Sequence, residues 1–239
     1  GNCELQKLSR ELGIDSVRFD SITENLPIDD KNPCIVRDNS KCIKCGRCVE
    51  ACNKVQGVGA IYNINRSHNM KVAPAYEKGL HEVPCVYCGQ CINVCPVGAI
   101  YEKSDINRVW NVLEDSSKHV VVQIAPAVRV SLGEEFGLEP GSVVTGKIVS
   151  FLKRVGFDKV FDTNFTADLT IIEEGNELLQ RIKTGGTLPM ITSCSPGWIR
   201  YIEYFYPELL SHLSTCKSPQ QMFGALAKSY YAEKNNINP

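Results

Sequence analysis

The sequence predicts an α+β domain built around clustered cysteines, followed by part of an α/β domain with a mainly parallel sheet. Three observations predict this. Eight of the twelve cysteines fall in two short runs, Cys42, Cys45, Cys48, Cys52 and Cys85, Cys88, Cys91, Cys95. Each run is followed by the same five residues, VGAIY, at 58–62 and 97–101. After Tyr101, strand-like and helix-like stretches alternate, which is the pattern of a layered α/β domain.

The elements follow in order. Residues 3–13, CELQKLSRELG, have the apolar spacing of a short amphipathic helix stopped by Gly13. Residues 14–33 are polar, include the turn-rich LPIDDKNP, and read as a linker with one short strand. Residues 34–104 hold the duplication, each copy a cysteine-rich turn, a short helix and the closing VGAIY. HVVVQIAPAV (119–128) reads as a buried strand ending in a turn at Pro126, and TGKIVSFLKRVG (145–156) as a helix ending at Gly156. FDKVFDT (157–163) reads as a second strand, ADLTIIEEGNELLQRIKTGG (167–186) as a helix closed by two glycines, and LPMITS (188–193) as a third strand. PGWIRYIEYF (196–205) and SPQQMFGALAKSYYAEK (218–234) have the proline starts of helices. In an α/β sheet, sites lie at the carboxyl ends of strands, where QIAPA and ITSCSPG fall.

Bulk composition excludes several function classes. The 239 residues are 43% hydrophobic and 22% charged, enough apolar content for a core. The net charge of −1 leaves no polybasic footprint for nucleic acid or an anionic membrane. No apolar run is long enough to span a bilayer. Tight Cys-x2-Cys repetition is metal-binding usage in a reducing compartment, so a cytoplasmic location is expected. The chain opens GNCELQ without methionine, and a further upstream segment is expected.

Each run reads Cys-x2-Cys-x2-Cys-x3-Cys, the second followed by Pro96. Structural zinc would need two CxxC pairs per site, whereas each run carries a third cysteine at the same short spacing. The spacing fits four-iron clusters, in which the fourth cysteine of each run ligates the other cluster. Cys42, Cys45, Cys48 and Cys95 are therefore expected to hold one [4Fe-4S] cluster, and Cys85, Cys88, Cys91 and Cys52 the second. A cluster with every ligand position filled by protein has no open place for substrate, so its expected work is electron transfer. Cys34 lies outside the ligand spacing and reads as a buried or incidental thiol. His68, His81, His119 and His212 have no metal-ligand spacing. Residues 34–104 resemble the bacterial two-cluster ferredoxin domain.

TSCSPGW (192–198), YPELL (206–210), CKSPQQMFG (216–224), QIAPAVRVSLGEEFG (123–137) and GFDKVFDTNFTADLTIIEE (156–174) together are similar to the diiron (iron-only, [FeFe]) hydrogenases over essentially the whole chain. The fold class implied is an α+β two-cluster ferredoxin-like domain followed by part of an α/β hydrogenase active-site domain. The implied division is 1–24 as the remnant of an upstream iron–sulfur segment, 25–105 as the ferredoxin-type domain, and 106–239 as the N-terminal half of the H-cluster domain.

The resemblance implies reversible oxidation of H2 to protons, with a ferredoxin or NAD(P)-linked redox subunit as electron partner. It also implies, in the complete protein, an H-cluster made of a [4Fe-4S] cube and a diiron unit. Cys3 falls where the family has the last ligand of a further His/Cys3 [4Fe-4S] cluster. Cys194 falls at the cysteine that passes protons to the diiron unit. Ser195 falls where a second cysteine normally ligates the cube. A hydroxyl is a hard ligand beside soft sulfides, so this is a departure from the family pattern.

Glu174, Glu177, Arg181 and Ser214 match the family's proton relay, and the i,i+3 and i,i+4 spacings place the first three on one helical face. Ala125, Pro126 and Ala127 match the turn that wraps the diiron unit's cyanide ligands, with Ala127 lacking a hydroxyl many members have. Cys216 is expected to be packing. The family's remaining H-cluster ligands are expected beyond Pro239. The alternative function is a non-catalytic ferredoxin-like electron carrier or a sensory subunit.

Overall fold

A computed structural model describes residues 3–18 and 26–239. The chain divides into two compact units, one of residues 1–104 with 196–205 and the other of residues 105–195 with 206–239.

In the first unit, helix α1 spans Glu4–Glu11. Strand β1 (Ile35–Arg37) pairs antiparallel with β4 (Ile100–Glu102), Val36 opposite Tyr101, and β2 (Tyr62–Ile64) pairs antiparallel with β3 (Lys71–Ala73). Short helices α2 (Arg47–Glu50) and α3 (Gln90–Asn93) follow the first two cysteines of each run and carry the third. Strands of three residues hold little by themselves. They are held by a core of Ile35, Val58, Ile61, Val72, Leu80, Val86 and Ile100, into which Cys48 and Cys85 are packed. The repeated VGAIY explains its own recurrence, because Ala60, Ile61, Ala99 and Ile100 are all buried. Full burial of each isoleucine side chain is worth about 1.5–3 kcal/mol.

The linker is tied to this core at Asp29. Both Nε and Nη2 of the buried Arg37 donate to Asp29 Oδ2, at 3.1 and 3.0 Å, and Leu80 N donates to the same oxygen at 3.0 Å. Of the strand expected within 14–33, the described residues contain one isolated bridge, Asp29 with Arg37, and residues 19–25 lie outside the described residues. Helix α8 (Pro196–Phe205) completes the unit, with Ile202 fully buried and Tyr201 packed on the core.

In the second unit, β5 (Val121–Ile124) and β6 (Lys159–Asp162) form a parallel pair. Helices α4 (Ile106–Glu114), α5 (Val128–Ser131), α6 (Thr145–Val155), α7 (Thr163–Thr184), α9 (Pro219–Leu226) and α10 (Ala232–Lys234) surround it, with a π turn over Ala227–Tyr231. Ile124, Val144 and Ile148 form the core with Leu152 and Val160 against it. Helix α7 begins four residues before the expected Ala167, because Asp162 caps it by accepting from Asn164 N at 2.9 Å.

The strand expected at 188–193 does not form. Only Ile191 is bridged, in parallel, to Leu213, through Ile191 N to His212 O and Ser214 N to Ile191 O. Pro189 has no N–H to donate, and the neighbouring segment is a 3-10 turn, Pro207–His212, which offers no extended partner.

Candidate metal centres and proton path

Two cavities in the first unit sort the eight clustered cysteines. Cys42, Cys45, Cys48 and Cys95 line one, with Ile43, Val72, Val94 and Ile100 around them. Cys52, Cys85, Cys88 and Cys91 line the other, with Ile35, Val58, Ile61 and Leu80. Each cavity takes three cysteines from one run and the fourth from the other.

The loops that present the thiols are duplicated in backbone as well as sequence. Lys44 and Gly46 are left-handed at φ 56 and 75, and their counterparts Tyr87 and Gly89 at φ 60 and 73. Only glycine takes this conformation without a Cβ penalty, which accounts for the glycine in each Cys-Gly-x-Cys. Such alternation turns successive N–H groups inward and makes an anion-accepting concavity of the kind found at iron–sulfur sites. Lys44 N donates to Cys42 Sγ at 3.4 Å, and Ala60 N to Cys52 Sγ at 3.3 Å.

Burial pushes the thiol of Cys48 up to about 11, Cys85 to about 11 and Cys91 to about 12, and neighbouring cysteines add to each rise. Cys42 is raised by burial as well. Unligated, these sulfurs stay protonated at neutral pH, and a metal that binds them must displace the protons. Among the described residues no three His, Cys, Asp or Glu side chains gather around a single metal ion. Four thiols around an apolar cavity are a soft donor set that would suit an iron–sulfur cluster. The residues present therefore fit the clusters that the spacing implies.

Glu177 organises the second unit's polar site. Its Oε1 accepts from Arg181 Nη2 at 2.6 Å and Nε at 3.1 Å, and its Oε2 from Ser214 Oγ at 2.8 Å. Thr215 N donates to Oε2 at 3.0 Å. Burial would raise the Glu177 pKa, but the Ser214 hydroxyl, the Arg181 guanidinium and the Thr215 N–H outweigh it and hold the carboxyl below its usual range. Arg181 is fixed in turn by the carbonyls of Thr187, Ser211 and Leu213, at 3.2, 3.2 and 2.7 Å.

Glu174 lies on the same half-buried face of α7. Burial raises the Cys216 thiol, the Ser214 hydroxyl opposes that rise, and the charges of Glu177 and Glu174 add to it. Cys216 is thus more than packing, with its Sγ 3.7 Å from Glu177 Oε2. Neither it nor Thr215 stood out in the sequence. The available signal was their position directly after Ser214, in STCKSP.

Cys194 and Ser195 stand exposed just before Pro196, and neither side chain makes a hydrogen bond among the described residues. Their neighbour Ser193 is anchored by Oγ to the Cys216 carbonyl at 3.0 Å. Ala125, Pro126 and Ala127 form the exposed turn after β5, and the Ala127 carbonyl accepts from Ser131 Oγ at 3.0 Å. Cys3 is half-buried at the start of α1, and Cys34 is exposed.

The C-terminal domain of the iron-only hydrogenase large chain matches residues 118–239, and a 4Fe-4S dicluster domain matches 41–99. The chain is 48% identical to the NADP-reducing hydrogenase subunit HndD of Solidesulfovibrio fructosivorans, covering 98% of this chain and 41% of that protein. It is 47% identical to iron hydrogenase 1 of Clostridium pasteurianum, covering 89% of this chain and 37% of that one. The chain thus spans about two fifths of the length of these curated relatives. Among solved structures, an apo [FeFe]-hydrogenase HydA1 from Chlamydomonas reinhardtii matches with a TM-score of 0.55 and 49% identity, over 57% of this chain and 36% of that one. More distant relatives include the nuclear prelamin A recognition factor of Homo sapiens, 34% identical over 65% of this chain and 36% of that protein. Among the described residues no helix is long and apolar enough to cross a membrane. With one domain match over the cysteine loops and another over the half that carries TSCSPGW and the Glu177 network, the chain belongs to the iron-only hydrogenase family.

Proposed function

We propose that this chain supplies the electron wiring and part of the proton path of an enzyme that interconverts H2 with protons and electrons. The observation that carries the reading is the sorting of eight cysteines into two four-thiol cavities, each completed by a cysteine from the opposite run. Cys42, Cys45, Cys48 and Cys95 hold one [4Fe-4S] cluster, and Cys52, Cys85, Cys88 and Cys91 the other. When bound, such clusters take up and release single electrons. The protein's part is to line them with isoleucine, valine and leucine, which exclude water, and to aim inward N–H groups at the sulfurs. The exposed Cys45 and Cys88 bring one edge of each cavity to the surface of the unit, where electrons can enter or leave.

On the proton side, Ser214 donates to Glu177, and Glu174 lies one turn earlier on the same face of α7. A pure electron carrier has no use for a half-buried carboxylate held between a serine and an arginine, so this network favours the hydrogenase reading over a carrier or sensory subunit. Cys194, in the matching position of the motif, is the proposed proton donor at the head of the path. At the turn Ala125–Ala127 and at Ser195 the chain offers backbone N–H groups and a hydroxyl, fewer soft donors than an iron–sulfur cube takes. These residues alone would not hold an H-cluster, and the chain by itself is expected to lack hydrogenase activity. Cys3 is proposed as a ligand of a further cluster completed by residues outside this sequence.

The electron partner is proposed to be a ferredoxin or an NAD(P)-linked subunit, in keeping with the similarity to an NADP-reducing hydrogenase subunit. A cytoplasmic setting suits a chain whose cysteines must stay reduced. Iron and sulfide quantitation after anaerobic reconstitution of the 239-residue chain tests the reading. About eight irons per chain supports it, and about four or fewer overturns it.

A further inference from the structure

One cation beside the second cavity has no role in the reading above. Arg200, on α8, is half-buried, and no carboxylate lies within ion-pair distance of it among the described residues. Its Nε donates to the main-chain carbonyl of Cys85 at 3.2 Å, and its Nη2 to the Tyr204 hydroxyl at 2.6 Å. The guanidinium lies 4.1 Å from the ring centre of Tyr87 and 5.1 Å from that of Tyr204. Tyr87 sits between Cys85 and Cys88 in the left-handed conformation, so a fixed cation is clamped onto the loop that carries two of the second cavity's four thiols. In the duplicated first loop the place of Tyr87 is taken by Lys44, an exposed residue whose Nζ turns away to the His68 carbonyl at 3.0 Å. Water screens a charge there, and it does not screen a half-buried guanidinium held 4.1 Å from the Tyr87 ring centre to the same degree.

We propose that Arg200 is a positioning residue that raises the reduction potential of the cluster held by Cys52, Cys85, Cys88 and Cys91. The proposal rests on the cluster assignment above. Reduction adds one electron and no proton, and makes the cluster one unit more negative. A nearby fixed positive charge lowers the energy of the reduced form more than that of the oxidised form, and net charge and hydrogen bonding are established determinants of cluster potential. The hydrogen bond to the Cys85 carbonyl holds the charge at constant distance through the cycle.

The test is a mediated redox titration of the reconstituted 239-residue chain, with dithionite as reductant and the two clusters followed by EPR. Arg200→Gln and Arg200→Met remove the charge, the second keeping an unbranched apolar stem, and Arg200→Lys keeps the charge without the planar guanidinium. In both neutral variants the second cluster's reduced-to-oxidised ratio, read at the wild-type midpoint, is expected to fall about tenfold, equal to about 59 mV for a one-electron couple. Arg200→Lys is expected to retain most of the ratio, and the first cluster to be unmoved throughout. Unchanged potentials in the neutral variants overturn the proposal, and so does an Arg200→Lys shift as large as that of Arg200→Gln. Loss of the second cluster's iron in both neutral variants assigns Arg200 a structural role instead. Full iron with unmoved potentials refutes only the role of Arg200, whereas an unsubstituted chain short of about eight irons refutes the cluster assignment itself.

Discussion

Glu177 is a carboxylate held ionised by its neighbours, and that makes a pH prediction. Its pKa lies below the usual 4.5 in the folded chain, despite the opposing effect of burial, because Ser214, Arg181 and Thr215 favour the charge. A depressed folded pKa gives stability that is fully present above the unfolded value and is lost as pH falls through the folded one. Glu177→Gln is expected to lower stability by about 1–3 kcal/mol at pH 7, since it strands Arg181 and weakens charged hydrogen bonds. The gap from wild type is expected to hold down to about pH 5 and to narrow only below that. Paired thermal unfolding of wild type and variant checks this, the comparison cancelling whatever acid does to the clusters. A gap independent of pH down to about 3 would mean that Glu177 is not the ionised partner of Arg181. The cysteines make a second residue-scale prediction. Cys95→Ala is expected to remove the cluster of Cys42, Cys45 and Cys48 and spare the other, so iron falls from about eight to about four per chain. If the surviving EPR signal instead belongs to the first-run cysteines, the crossed assignment is wrong.

At the scale of elements, α7 runs against the usual amphipathic rule. Its inward face carries the buried Thr163, Thr166 and Thr170 and the half-buried Glu174, Glu177 and Arg181, while Phe165, Ile171, Ile172, Leu179 and Ile182 are exposed. The buried hydroxyls are satisfied locally: Thr166 Oγ1 donates to Thr163 O at 3.1 Å and Thr170 Oγ1 to Thr166 O at 2.9 Å. Helix α9, against which α7 packs, depends on its start. Ser218 Oγ accepts from Gln221 N at 3.2 Å, Gln221 Oε1 accepts from Ser218 N at 3.2 Å, and Pro219 fills the first helical position. Ser218→Ala is expected to cost about 1 kcal/mol in chemical denaturation, and Ser218→Asp to be nearly neutral. Equal losses in the two variants would show that the cap is not what matters there. These elements also mark what was legible in the sequence. The cap and the helix are local in sequence, and the crossed cysteine pattern, though long-range, is announced by two local runs of the same spacing, so the sequence reveals them. The partnership of Glu177 with Thr215 and Cys216 joins residues nearly forty positions apart, brought together by the bridge at Ile191, by Arg181 on the carbonyls of Ser211 and Leu213, and by the packing of α9 on α7. LPMITS has a strand's composition, yet a strand also needs a neighbour, and that information does not lie within the segment.

At the scale of the whole molecule, the two units draw stability from different sources. The first has strand pairs of only three residues and a core in which Cys48 and Cys85 are themselves packed, so much of its interior is cluster-binding surface. Small domains of this kind commonly need a metal to hold the fold, and the binding free energy is then folding free energy. Raised thiol pKa values add to that coupling, because metal release leaves buried sulfurs that must regain protons. The second unit contains none of the eight clustered cysteines, has its own core at Ile124, Val144 and Ile148, and is built on α7 and α9. Oxidative removal of iron in the presence of a chelator is therefore expected to unfold the first unit and leave the second folded. Hydrogen exchange should show protection lost across β1, α2, α3 and β4, while the amides of α7 and α6 keep theirs, and limited proteolysis should cut first between residues 34 and 104. Re-adding iron and sulfide under reducing conditions should restore the lost protection. If the metal-free chain keeps its protection around Ile35, Ile61 and Ile100, the apolar core alone holds the first unit, and the clusters are passengers in a fold that does not need them.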